Sequence, residues 1–484
     1  MTASSYPDVV NVLTDHTDVG SVGQPGTCVY DPDQQSYTLS GAGANIWGAQ
    51  DEFFFTWQRM KGNFIVTARA TFSGAGGHPH RKLGWMARAS LDAGSAHASA
   101  AVHGDGLVSL QYRPLAGGET EEVKTTLDGA DVIQLERKGN TYILSAAQFG
   151  DPFTTVQVGN LDLGDEVYLG LFVCSHTGDV LETATFQNVR VVKPVEPGFN
   201  READPFGSRL EILDVETGLR KVVYSADEVF EAPNWTRDSG ALIFNRQGRL
   251  YRFDLETRTP ALIDTGEAVH NNNDHVLSFD GKMLAISSFT EPEGTSIIYT
   301  VPVLGGQPKR VTPTGPSYLH GWSPDGKSLV FAGQRGGKFD IYRVPTEGGP
   351  EERLTHALGV NDGPEYTPDG RYIYFNSVRS GNMQIWRMLP DGSQKEPLTA
   401  DACNNWFAHI APDGKQFIFV SYLPGEVEPN DHPAAKRVYL RTLPLDGGIP
   451  RVVAYLYGGQ GTMNVPSWSP DGKKVAFVTN TVPF

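Results

Sequence analysis

Cysteine is scarce in this 484-residue chain, and its three examples, Cys28, Cys174 and Cys403, are odd in number and far apart. Neither a disulfide framework nor a paired-cysteine metal site is encoded, and the three read as buried thiols. Long apolar runs are missing too: no stretch of eighteen apolar residues occurs, so no membrane span is expected. The opening "MTASSYPDVV" lacks a basic segment followed by an apolar one. As written the sequence reads as cytoplasmic, or as periplasmic if a signal peptide has been trimmed. Positive charge is short, 40 Lys and Arg against 56 Asp and Glu, for a formal net charge of −16. Such a balance argues against nucleic acid and anionic membrane surfaces as partners. There is no GxSxG elbow, HExxH, Walker A or EF-hand loop, and the glycine clusters "SGAGAN" and "GAGG" lack the strand-to-helix context of a nucleotide fingerprint. No nucleotide cofactor is expected.

Glycine is abundant instead, with 54 Gly and 32 Pro and little helical periodicity, which implies short strands joined by turns. From about residue 209 a unit repeats. Its turns, among them "WSPDG", "YTPDG" and "IAPDG", carry Asp238, Asp280, Asp325, Asp369, Asp413 and Asp471 at spacings of 42, 45, 44, 44 and 58 residues. Four strand-like runs per unit at that period predict a β-propeller. The last unit stops after two strands, and "RLEILDV" and "RKVVYSA" at 209–225 supply the missing pair. The ends of this half therefore share a blade, which gives six blades and removes free sheet edges. Extra length before Asp471 falls in the polar loop "LPGEVEPNDHPAAKR".

Through "WSPDGKSLVFAG", "YTPDGRYIYFNS" and "WSPDGKKVAFVT" this half resembles TolB-like six-bladed propellers with PD40 (WD40-like) repeats. The resemblance speaks for fold and not for one activity, since such propellers serve as scaffolds, peptidase gates and lyases.

Residues 1–193 show no such period but about ten alternating strands, which indicate a two-sheet jelly-roll sandwich. "FFFTWQRMKGNFIVTARATF" and "KLGWMARASLDAGSAHASA" resemble concanavalin-like domains of the DUF1349 type. The expected fold is all-β: a concanavalin-like jelly roll over 1–193, a proline-rich linker over 194–207 and the propeller over 208–484.

In a propeller the first strand of each blade lines the channel. Five residues before the turn aspartate stand His275 and His320 in consecutive blades, and His409 is one place off in another. Imidazoles converging from separate strands suit a divalent metal, with Mn, Ca, Zn or Ni as candidates. Asn272, Asn273, Asp362, Glu365, Asn404, Asn405 and Trp406 stand near enough in sequence to hold a substrate. This arrangement resembles the oligogalacturonate lyases. That resemblance implies channel histidines holding a metal that acidifies the proton α to a uronate carboxylate; it identifies no base here. In the first half, alternation places Arg88, Gln111 and Arg113 on a sheet face beside Trp85 or Tyr112, a surface suited to glycan binding. The loop "GGHPHRK" at 76–82 reads as a hairpin tip.

The expectation is a carbohydrate-active protein whose propeller mouth performs metal-assisted, lyase-like glycan cleavage. The alternative is a non-catalytic scaffold binding a carbohydrate or a protein.

Overall fold

The computed structural model describes residues 11–483 except 75, 76, 293, 357 and 358. Strands and turns build the described residues, with no helix long and apolar enough to cross a membrane. The chain divides into two compact units, one running to Pro194 and the other over Val195–Pro483.

The first unit holds two seven-stranded antiparallel sheets. One contains Phe53–Lys61, Glu166–Cys174, Lys82–Arg88, His97–His103 and Leu107–Arg113; the other contains Phe64–Phe72, Val132–Lys138, Thr141–Ala147 and Thr177–Val192. Alternation explains the core, because every second residue of a strand faces the same side. Leu83, Trp85, Leu110 and Leu171 of the first sheet are buried in one cluster with Val66, Leu135, Leu144 and Phe186 of the second.

The opposite face of the first sheet is buried as well, which alternation did not reveal. A short strand pair, Ile46–Trp47 with Gln50–Asp51, and the segment 89–95 cover it, and Ile46, Phe53, Met86 and Phe172 form a second apolar cluster there. Arg88, Gln111 and Arg113 lie under this roof, each no more than 1% exposed. Arg113 makes two bonds to the Asp51 carboxylate, at 2.6 and 2.9 Å, and also donates to the carbonyls of Gly48 and Ser95. Arg88 approaches the same carboxylate at 3.4 Å. A buried guanidinium is tolerated only when paired and hydrogen-bonded, as here. The two arginines tie the roof to the sheet, and none of the three buried side chains displays a glycan face.

The second unit is a ring of six sheets. Five are four-stranded, starting at Phe230–Trp235, Asn271–Leu277, Ser317–Trp322, Asn361–Tyr366 and Asn404–Ile410, here blades 1 to 5. Blade 6 joins the two ends of this unit: Lys474–Thr481 pairs with Gly207–Asp214, which pairs with Arg220–Ala226, and a bridge from Trp468 to Val475 supplies the inner edge. The expected closure is present. Residues 195–206, expected as a linker, belong to the propeller unit: the Val195 N–H donates to the Tyr457 hydroxyl, and Arg201 meets Glu231 at 2.5 Å.

The repeat's letters have physical reasons. Before Asp413 stands Ala411, but the other five of the six turn aspartates accept a hydroxyl two residues earlier, as Ser323 donates to Asp325 at 2.7 Å and Thr367 to Asp369 at 2.6 Å, which caps the turn. That hydroxyl, followed by the N–H of Lys327, holds the Asp325 carboxyl below its ordinary value. The tryptophan of "WSPDG" links neighbouring blades: Trp322 Nε1 donates to the Val276 carbonyl and Trp468 Nε1 to that of His409.

Candidate functional site

The innermost strand of each of blades 1 to 5 is irregular. Its register slips between Glu231 and Asn234, Asn271 and His275, Leu319 and Gly321, Asp362 and Glu365, and Trp406 and His409. Such a bulge inserts residues that the neighbouring strand does not match, so side chains before and after it point differently. Ala232, Gly363 and Phe407, one in each of three blades, sit at positive φ of 56°, 58° and 55° at this place.

Just before the bulge stands a ring of one residue per blade, seven positions ahead of each turn aspartate: Glu231, Asn273, Tyr318, Asp362, Trp406 and Asn464. All six line one chamber of about 450 Å³ at the channel mouth. Asn272, Asp274, His320 and Phe407 add to its wall, and the polar loop of blade 5 contributes Asn430 and His432. Two carboxylates, two amides and two aromatic residues thus surround a concave space of the size that takes a small molecule.

At its centre His320 Nε2 lies 3.1 Å from Asp362 Oδ1, and His432 Nε2 lies 4.0 Å from Asp362 Oδ2. The His432 ring packs 4.2 Å from that of Trp406, and its Nδ1 is 2.6 Å from Gln460 Oε1. Burial opposes charge on His320, but the hydrogen bond to Asp362 and the charges of Asp274 and Asp362 carry its pKa above the ordinary imidazole value. Burial likewise opposes charge on Asp362, yet His320 and then His432 hold its carboxyl below the usual value. Asp274 goes the other way: burial raises it to about 7, although it accepts from Asn272 Nδ2 at 2.8 Å. One carboxyl is thus poised near neutrality beside a carboxylate and an imidazole that favour each other's charged forms, a combination typical of functional clefts.

The expected metal triad does not assemble. His275 pairs with Ile286 after the bulge, is fully buried, and directs Nε2 at the Ile243 carbonyl of blade 1, 3.2 Å away. Burial lowers its pKa to about 4. His409 has both nitrogens engaged, Nδ1 with Glu365 at 2.6 Å and Nε2 with the Met463 carbonyl at 3.1 Å. Glu365 also accepts from the Ile410 N–H and faces a separate cavity of about 140 Å³ with Asn234 and Pro466. His320 alone of the three lines the chamber. Equal offsets in sequence conceal different bulges: in blade 3 His320 is itself the unpaired residue, whereas in blade 2 His275 is already back in register. His275 is buried against blade 1, His409 has both nitrogens engaged and only His320 reaches the chamber, so these histidines do not fit a shared ion.

Of the expected substrate residues, Asn272, Asn273, Asp362 and Trp406 line the chamber. Asn404 and Asn405 do not: the Asn404 amide bonds the Met383 N–H and the Val427 carbonyl, and Asn405 is fixed by Gln384 and Arg441. The sequence reading passed over Glu231, Tyr318, Asn464 and His432. The first three share the offset of seven, a signal open to inspection; His432 lies in an insertion with no periodic signal.

Residues 315–430 match the TolB beta propeller domain, PD40. An uncharacterized protein of Agrobacterium fabrum is 48% identical over 272 residues, which covers 56% of this chain and 92% of that one. The chain belongs to the same family of TolB-type propellers. The structure of a putative TolB from Agrobacterium tumefaciens shares 47% identity at a TM-score of 0.55, covering 58% of this chain and 99% of the other. An oligogalacturonate lyase in complex with manganese is more remote, with 17% identity and a TM-score of 0.37 over 50% of this chain and 70% of that one. It resembles this TolB-type chain in propeller fold alone.

Proposed function

We propose that the propeller is a carbohydrate-recognition module that holds a neutral, polyhydroxylated ligand in the channel-mouth chamber. The observation that carries this reading is the six-residue ring, in which carboxylates and amides can bond hydroxyls while the partly exposed Tyr318 offers its ring to a sugar and the buried Trp406 backs the wall. Neutral sugar is favoured over uronate because, among the described residues, neither Lys nor Arg lines the chamber, and the nearby Arg201 is bound to Glu231. The two sheets of the first unit are in keeping with a concanavalin-like jelly roll, the architecture of many glycan-binding domains.

A second reading is cleavage of the bound glycan, favoured by Asp274 held near 7 beside the Asp362–His320 pair. The Asp274 carboxyl would give its proton to the leaving oxygen while Asp362 takes a proton from a water whose oxygen replaces the leaving group at the sugar carbon. This uses the chain's own acid and base rather than an ion held by His275, His320 and His409.

Calorimetric titration with a panel of neutral and uronate oligosaccharides, followed by chromatography for products, tests both readings. Binding that is lost in Asp362→Asn without any product supports recognition alone. Product formation that vanishes in Asp274→Asn supports cleavage. Binding of none of the panel overturns the carbohydrate reading.

A further inference from the structure

In the first unit three loops at one end of the sheets bring histidines together. His78 and His80 lie between Phe64–Phe72 and Lys82–Arg88, His103 ends its strand just before Asp105, and His176 sits between Glu166–Cys174 and Thr177–Val192. One ligand atom from each of His80, His103 and Asp105 lies within 4.8 Å of the other two. His78 packs on His176 with ring centroids 4.2 Å apart, and His80 is 5.5 Å from His176 and 6.2 Å from His103. Residues 77–82 are therefore one wall of a cluster and not merely a hairpin tip.

Backbone bonds fix the loops against each other. Asp105 N–H donates to the Pro79 carbonyl at 2.8 Å, and Gly104 N–H donates to that of Arg81 at 2.9 Å. His176 is held at a φ of 61°, a conformation unusual for a residue other than glycine. Neighbouring cations are directed elsewhere: Arg81 pairs with Glu182 at 2.9 Å, and Lys82 Nζ donates to Asn45 Oδ1 and the Ile46 carbonyl.

Two orphaned nitrogens point to a ligand. Nδ1 of His103 and Nδ1 of His176 are buried without a hydrogen-bond partner. His103 Nε2 is 3.2 Å from the Gln111 amide, whose Oε1 is also buried and unpartnered. Exchanging the two ends of that amide, an assignment that rests on hydrogen bonding, gives the imidazole Nε2 an acceptor. His103 then donates from Nε2 to Gln111 Oε1, and its Nδ1 lone pair is left free beside His80 and Asp105. A carbonyl oxygen that fixes the tautomer of a ligating histidine is a recurrent feature of metal sites.

We propose that His80, His103 and Asp105, with His176 alongside, form a binding site for a late first-row divalent ion of the zinc type, oriented by Gln111. Imidazole and carboxylate donors suit that class of ion, and three protein ligands leave a coordination position open. His80 and Asp105 are exposed, so an ion can enter and the open position faces solvent.

Full-length protein made without a histidine tag and stripped with a chelator would be titrated with Zn²⁺ alone by calorimetry, and loaded with Co²⁺ for visible spectroscopy. One equivalent of Zn²⁺ and a four- or five-coordinate Co²⁺ spectrum are expected. His80→Ala/Asp105→Ala, both on the surface, should abolish stoichiometric binding, and Gln111→Leu should weaken it roughly 10- to 100-fold. His320→Gln, in the propeller, should leave binding unchanged. Circular dichroism checks that each variant is folded. Failure of the parent protein to bind Zn²⁺ stoichiometrically, or binding retained in the folded double variant, overturns the proposal.

Discussion

His320 and Asp362 belong to neighbouring blades and meet 3.1 Å apart across the channel mouth. Blade 3 offers the imidazole from the unpaired residue of its bulge, and blade 4 offers the carboxylate from the last paired residue before its own. Without Asp362, burial acts on His320 with less opposition. Asp362→Asn should therefore lower the His320 pKa, read from its ring resonances by NMR over a pH series. An unchanged value would show that Asp362 does not hold the charge.

Asp274 makes stability depend on pH. Its pKa is raised from 3.8 to about 7 in the folded chain, so the folded state binds more protons than the unfolded state between those values. Its contribution is fully present below about pH 4 and is lost as pH rises through 7, with a limiting slope of roughly 1.4 kcal/mol per pH unit. The raised His320 pKa acts in the same direction near neutrality, while the lowered Asp362 pKa contributes stability that is lost as pH falls through its folded value. Asp274→Asn should flatten the fall in denaturation midpoint between pH 4 and 7. Parallel profiles for parent and variant would contradict this.

Propeller geometry was legible in the sequence because the turn aspartates repeat, and its closure was legible because the last unit lacks two strands. The chamber was harder to see. A strand rule assigns faces by parity, but each bulge resets parity, so His275 and His320 share an offset and face different surroundings. The face bearing Arg88 and Arg113 was correctly grouped by alternation, yet alternation carries no information about the strand pair that roofs it. His432 reaches the chamber from an insertion, and only tertiary structure places it there.

Asp51 is the shared counter-charge for two fully buried arginines. Asp51→Ala leaves both without a carboxylate and should destabilise the first unit by about 3–5 kcal/mol, the range for breaking a buried pair. Chemical denaturation measures it. A loss below about 1 kcal/mol would mean that the backbone carbonyls alone suffice.

Tyr318 is partly exposed in the chamber wall, so it can be truncated with little structural cost. Tyr318→Ala should weaken oligosaccharide binding by about 1–2 kcal/mol, while the thermal midpoint moves little. Unaltered affinity would place the ligand away from that wall.

Blade 6 fixes an order of events during synthesis. Glu211 accepts a hydrogen bond from Thr479, a residue made 268 positions later. The strand Gly207–Asp214 leaves the ribosome early and must wait for Lys474–Thr481 before its inner edge is covered. Blades 1 to 5 can pair internally as they emerge, but the circle, and with it the ring of six residues around the mouth, is complete only when the final strand arrives.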